Sequence, residues 1–281
     1  MIFAPLRIWQ ACVIAASLLT AAPTQAAARS RVSEIVVDGS TGAVLFSQAP
    51  NAARRPASLT KLMTLYLAFE ALADGRLRSS DRVPISRRAA RQPASHLGIA
   101  AGKSITVTTA LDAIAAVSSN DLAVAMAEKL AGSEPRFAKL MTAKARQLGL
   151  RDTRFANATG LTNAGNVTTA SDMAKLSLAI LKRYPRQYAR FGTRVIRWQS
   201  RRIVNHNHLL GKVRGVDGIK TGYTADAGYN LVASARRGGR RIVVVVLNER
   251  SVSARDARVA NLVELGFAPV RAKGRRPRQQ P

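Results

Sequence analysis

The spacing of apolar positions changes character along the chain, and each change marks a different kind of element. Ser33 to Asp38 and Ala43 to Ser47 are short β-type runs separated by the turn residues Gly39-Ser40-Thr41-Gly42, which predicts a hairpin. From Leu59 to Ala73 the apolar residues recur at helical spacing and stop at Asp74-Gly75. Arg76 to Thr108 is punctuated by Pro and Gly and predicts mostly loop. Ala110 to Ala131 is an Ala-rich helical stretch with a break around Ser118-Ser119-Asn120. Ser133 caps a helix that carries Phe137, Leu140, Met141 and Leu148 and stops at Gly149, and Thr169 with Asp172 forms a cap pair ahead of Met173, Leu176, Ile180 and Leu181.

Beyond these helices the pattern turns to strands. Gly218 to Thr224, Tyr229 to Ala235 and Ile242 to Leu247 predict three of them, the last two joined through Gly238-Gly239. Val243 to Val246 is an unbroken apolar run, which fits a strand buried on both faces. Ser253 and Asp256 cap a final helix through Val259, Leu262 and Val263 that ends at Gly266. Two strands, a helical block, three strands and one helix imply an α/β chain of the α+β kind. The early and late strands join in one antiparallel five-stranded sheet, the last helix covers a face, and the middle block forms a helical lobe.

The ends of the chain fall outside this pattern. Arg7, the apolar stretch Ala11 to Ala22 and the small residues Thr24 to Ala28 read as a secretory signal peptide over residues 1–28. Residues 29–268 are then expected to form the single folded domain, and residues 269–281 a basic tail without apolar periodicity, expected to be disordered. No C-terminal membrane anchor is evident. Cys12, the single cysteine, lies inside the leader, so the exported chain has no disulfide and no thiol nucleophile. His96, His206 and His208 offer no metal set, and neither a metal nor a cofactor is expected. His206 and His208 have no acidic neighbour in sequence and suit surface or packing roles.

The 281 residues carry 44 Lys+Arg against 16 Asp+Glu, a net charge of +28. With 5% aromatics and an export signal, nucleic acid is not an expected partner. Much of the charge reads as a solvated basic surface, which is expected to make electrostatic contact with anionic membrane or wall polymer.

Three short elements carry chemistry. Ser58 and Lys61, in Ser58-Leu59-Thr60-Lys61 at a helix start, lie one turn apart on one face, where a lysine of lowered pKa can activate a serine. Alone, the pair reads far more readily as a cap and a solvated lysine, because such spacings arise by chance in many proteins. Ser118-Ser119-Asn120 offers a hydroxyl to pass a proton and an amide that can both donate and accept, or simply an inter-helix turn. Lys220-Thr221-Gly222 on a strand offers a cation, a hydroxyl and room for a substrate backbone, or an edge lysine that guards against aggregation.

In this order the three resemble the signature set of serine β-lactamases and penicillin-binding proteins. Pro56 to Thr64 (PASLTKLMT), Ser118 to Glu128, Thr159 to Met173 and Gly215 to Ala235 are similar to segments of low-molecular-mass D-alanyl-D-alanine carboxypeptidases, over about Glu34 to Phe267. The resemblance implies a β-lactamase/transpeptidase-like fold, peptidoglycan stem peptides as substrate and β-lactams as covalent inhibitors, in the periplasm or cell-wall space. It implies that Ser58 is acylated, Lys61 is the base, Ser118 relays the proton and Asn120 holds the peptide amide. Lys220 and Thr221 would take the terminal carboxylate, Gly222 would leave room on the strand, and the N–H groups of Ser58 and Tyr223 would form the oxyanion hole.

Many members of that family carry a second, β-rich domain and then an amphipathic membrane helix, neither of which is expected here, and some have His where Tyr223 stands. A D,D-endopeptidase acting on cross-links is the closest alternative. A β-lactamase fits less well, because neither Glu128 nor Glu134 has an Asn four residues on. The intact Ser58, Lys61 and Lys220 argue against a non-catalytic wall-binding protein.

Overall fold

The first and last described strands meet in one sheet. β1 (Ser33–Asp38) pairs antiparallel with β2 (Val44–Gln48) on one side and with β9 (Arg240–Glu249) on the other. β9 continues to β8 (Gly228–Arg237) and β8 to β7 (Val216–Thr224), so the order is β2-β1-β9-β8-β7, antiparallel throughout. This is a computed structural model, and it describes Met1 and residues 32–269. The expected signal peptide, Met1 apart, and the expected tail from residue 270 lie outside the described residues.

The period of two in a strand explains how the sheet is covered. In β9, Val243, Val245 and Leu247 join the main core, while Ile242, Val244 and Val246 face a second core on the opposite side. All six are 0% exposed, which is why the run reads as continuously apolar. Burial of each such side chain stabilises by about 1.5–3 kcal/mol. The second core is closed by α8 (Val252–Phe267) through Val259, Leu262 and Val263. The main core is closed by α6 (Ala170–Arg183) against β1 and β9, and by a helical lobe around α1 (Lys61–Ala73). α3 (Val107–Val117), α4 (Asn120–Ala131) and α5 (Glu134–Gln147) pack on α1 from its other sides.

The expected hairpin, the helix break at Ser118 to Asn120 and the five-stranded sheet are all present. Four expectations need correction. First, Arg76 to Thr108 contains β3 (Arg82–Pro84) paired with β4 (Ser104–Thr106), and α2 (Arg87–Ala90) capped by the Ser86 hydroxyl. Elements this short carry no period. Second, the cap of α8 is Ser251, whose side chain accepts from Ala254 N, rather than Ser253. Third, Asp256 has no capping role and pairs with Arg255 and His208 instead, so His208 does have an acidic partner, at 3.3 Å, from α8. Fourth, α7 (Pro185–Tyr188) and the hairpin of β5 (Val195–Trp198) and β6 (Arg201–Val204) were not read from the sequence. The hairpin's inner face, Ile196, Trp198 and Ile203, packs on the main core, but its arginines hide that alternation.

Among the described residues, no helix is long and apolar enough to cross a membrane.

Candidate active site

Ser58 sits in a 3₁₀ turn (Ala57–Thr60) that runs directly into α1, so Ser58 and Lys61 straddle the junction. The turn is pinned from two sides by glycines. Gly160 has φ +79, and a Cβ there would lie 1.8 Å from the Ala57 carbonyl oxygen, so only glycine lets this loop close on the serine segment. On the other side, a Cβ on Gly222 would stand 3.0 Å from both Pro56 O and Ser58 N. β7 therefore lies against the main chain that carries the serine, as its packing on the turn also shows.

Lys61 is 0% exposed. Its Nζ donates to Asn120 Oδ1 at 2.6 Å and to the Thr159 carbonyl at 2.7 Å, and lies 3.1 Å from Ser58 Oγ. Burial holds its pKa well below the usual lysine value; the nearby charge of Lys220 lowers it further, and Asp121 opposes both. A neutral amine has two N–H groups and one lone pair. The two carbonyl-type acceptors use the N–H groups, so the lone pair is left facing the serine hydroxyl.

Asn120 opens α4 and is fixed at both ends of its amide. Its Oδ1 takes Lys61, and its Nδ2 donates to the carbonyls of Pro93 and Ala94 at 2.8 and 2.6 Å. Ser118 caps α3 in the left-handed region, at φ 62 and ψ 32. Its Oγ is buried and has no hydrogen-bond partner among the described residues, Lys61 included.

Lys220 is 2% exposed, and its Nζ donates to its neighbour's carbonyl at Thr221, 3.2 Å away. Burial first, and then the charge of Arg255, bring its pKa down to about 7. Thr221 is also buried, and Tyr223 is 53% exposed. The structure thus brings Ser58, Lys61 and Asn120 into direct contact, and lays the Lys220 to Tyr223 strand along the serine's backbone.

Three residues around the site were missed by the sequence reading. Asp121, 1% exposed, accepts from the N–H groups of Leu122, Leu97 and Gly98 at 2.9, 3.1 and 3.2 Å and from the Ser119 hydroxyl, locking the loop ahead of α4. Its place immediately after Asn120 was the available signal. Arg255, 4% exposed, is held by Asp256 Oδ1 through Nε and Nη2 at 2.9 and 2.7 Å, and its charge acts on Lys220. Nothing in a surface-like helix turn marks it. His206 lies close enough to the two lysines that burial, then Lys220, push its pKa down to about 4. Among the described residues, no cluster of three His, Cys, Asp or Glu side chains could hold a metal.

Comparison with known proteins points to one family. The family described as D-alanyl-D-alanine carboxypeptidase matches residues 19–251. The chain is 37% identical to the D-alanyl-D-alanine carboxypeptidase DacF of Bacillus subtilis, over 93% of this chain and 71% of that one. It is 36% identical to DacA of Escherichia coli over 84% of this chain, but spans only 60% of that relative's length. Among solved structures it is similar to penicillin binding protein 5 from Haemophilus influenzae, with TM-score 0.81 and 32% identity over 84% of this chain and 70% of that chain. It is also similar to penicillin-binding protein D2 from Listeria monocytogenes in a cefotaxime-bound form, with TM-score 0.77 and 29% identity over 84% and 96% of the two chains.

Proposed function

The chain belongs to the D-alanyl-D-alanine carboxypeptidase family, and we propose that it removes the terminal D-alanine of peptidoglycan stem peptides through an acyl-enzyme on Ser58. The observation that carries this reading is Lys61 Nζ, buried, depressed in pKa and 3.1 Å from Ser58 Oγ with both N–H groups committed elsewhere. Such an amine accepts the hydroxyl proton as Oγ attacks the carbonyl carbon of the penultimate D-alanine. The oxyanion that forms is held by the N–H groups of Ser58 and Tyr223, a pairing supported by the close approach of Gly222, the residue before Tyr223, to Ser58 N.

Collapse of this intermediate breaks the peptide bond, and the leaving nitrogen takes a proton from Lys61 by way of the Ser118 hydroxyl. That hydroxyl has no partner among the described residues, which leaves it able to bond a substrate nitrogen. Lys220 and Thr221 bind the terminal carboxylate. With a pKa near 7, Lys220 is readily protonated when a carboxylate arrives, and the ion pair then favours its charged form. Asn120 orients the peptide amide, exchanging one of its present contacts for it. Water then attacks the acyl carbon, with Lys61 again as base, and frees Ser58.

A β-lactam presents a similar carboxylate and carbonyl, and would acylate the same serine. We assign residues 29–268 to this catalytic domain. Action on stem peptides places the enzyme outside the cytoplasm, in the periplasm or cell-wall space, where its basic surface would meet anionic wall polymer. Digestion of purified muropeptides tests the reading. Release of D-alanine from uncross-linked pentapeptide, lost in Ser58→Ala, supports it. Cleavage confined to cross-linked dimers would overturn it in favour of an endopeptidase. Intact mass after penicillin treatment should show one adduct on Ser58, and an adduct on Ser118 or Ser119 would remove Ser58 from its role.

A further inference from the structure

The strand that carries Lys220, Thr221 and Gly222 does not stop at the serine. One residue further it enters an open groove of about 960 Å3 between the β7–β8 turn and α8. We propose that this groove seats the saccharide end of a peptidoglycan substrate while the stem peptide reaches back to Ser58. The proposal rests on stem peptides being the substrate.

The groove has an aromatic rim. Tyr223 and Tyr229 face each other across β7 and β8, with ring centroids 4.3 Å apart and planes inclined by 25°. In a chain with 5% aromatics, Tyr223 is the only exposed aromatic residue among the described residues. A flat ring left in water has a cost that a bound partner relieves. A pyranose matches such a ring well, with a C–H face to lie against it and hydroxyls around its edge.

The polar groups at the groove are available. Neither tyrosine hydroxyl, the Asn261 amide nor the Arg250 guanidinium has a partner among the described residues. An amide can donate to one sugar hydroxyl and accept from another. The floor is the opposite case. Buried Glu34 and Glu249 both hold Arg258, at 3.3 and 2.5 Å, which keeps the floor fixed. Arg250 is the groove's other cation, and its guanidinium is open to a polar group of the substrate.

Size and reach agree. Sites that bury most of a small ligand measure about 300–1,000 Å3. A stem of about four residues between the sugar and the scissile bond spans roughly 13 Å when extended. Gly222 lies against Ser58 N, and the next residue of β7, Tyr223, already rims the groove, so a stem of that length can join a sugar there to a carbonyl at Ser58.

The test compares D-alanine release from a free pentapeptide with release from the same pentapeptide carried on its disaccharide. In the wild type kcat/KM should be roughly tenfold higher for the disaccharide form, the scale of one aromatic stack with its hydrogen bonds. In Asn261→Leu and in Tyr229→Leu that ratio should fall to near one, and using a ratio removes any general damage to the enzyme. Penicillin acylation verifies that each variant is folded. Equal kcat/KM for the two substrates in the wild type would overturn the proposal, as would a preference that survives both substitutions. A longer sugar-free peptide giving the same gain would assign the groove to peptide instead. Titration of the peptide-free disaccharide into Ser58→Ala protein should show binding that Asn261→Leu weakens. That arm still reads the groove if no D-alanine is released from any substrate, which would sink the functional reading alone.

Discussion

Asp121→Asn exposes how the site is held together. The carboxylate is buried and accepts four hydrogen bonds, three of them from backbone N–H groups, and its charge raises the pKa of Lys61. An amide has one acceptor oxygen. Its best orientation keeps Leu97 N–H and Gly98 N–H on the oxygen and turns its NH2 group to the Ser119 hydroxyl, which can rotate to accept. The Leu122 N–H is then orphaned. An orphaned buried donor costs about 1–3 kcal/mol, and the remaining bonds lose their charge assistance, so the total is about 2–4 kcal/mol. For a domain of this size that corresponds to a fall in Tm of roughly 4–15 °C. The charge effect has a separate sign. With Asp121 neutral, Lys61 loses the group that raises its pKa, so it remains a free base to lower pH. The acidic limb of penicillin acylation kcat/KM should move down, even if the plateau rate falls as Asn120 loosens. Thermal melting and a pH series with a fluorescent penicillin measure both effects. A Tm within a degree or two of wild type, together with an acidic limb that stays or moves up, would refute the reasoning.

The Lys220→Gln variant should move the same limb the other way, because the Lys220 charge lowers the Lys61 pKa; a downward shift would mean that the two amines do not share one field. A Lys61→Arg variant keeps the charge but cannot supply a base, and acylation should fall by about 10²–10⁴-fold; stopped-flow rates within a few-fold of wild type would remove Lys61 from that role. Lys220 is lowered from 10.5 to about 7 in the fold, so between those values the unfolded chain binds the proton and the folded one does not, and stability from this group is lost as pH falls from about 10 to 7. His206, lowered from 6.5 to about 4, extends the loss from about pH 6.5 down to 4; His206→Gln should flatten Tm across that interval, and an unchanged slope would contradict its depressed pKa.

The parts that could be read from the sequence were those with a period or a fixed spacing. β9 announced itself through Val243 to Val246, and α3 and α4 through the break at Ser118 to Asn120, because a buried strand and an interrupted helix leave continuous traces. The side chains proposed for catalysis stand in three short motifs, Ser58 to Lys61, Ser118 to Asn120 and Lys220 to Gly222. Contacts made by chance of tertiary approach were not. The Thr159 carbonyl reaches Lys61 only because Gly160 closes on Ala57. Arg255 looks like one more surface arginine among 44 Lys+Arg until α8 is laid on the sheet. The β5–β6 hairpin was obscured by arginines on its exposed side, which break the alternation that its inner residues keep.

The order β2-β1-β9-β8-β7 also fixes when an enzyme exists during its own synthesis. β9 is the last of the described strands to be made, yet it stands between β1 and the β8–β7 pair that carries Lys220. A nascent chain that has already released Ser58, Lys61 and Asn120 still has no strand to connect β1 to the carboxylate side of the site. Closing that gap requires pairing across most of the chain, the slow kind of contact in folding. Partial chains therefore hold every catalytic side chain and no assembled site. Activity should appear in one step, once residues through Glu249 can pair, rather than growing as each motif emerges. A chain handed across a membrane unfolded would arrive inert and switch on where it finishes folding.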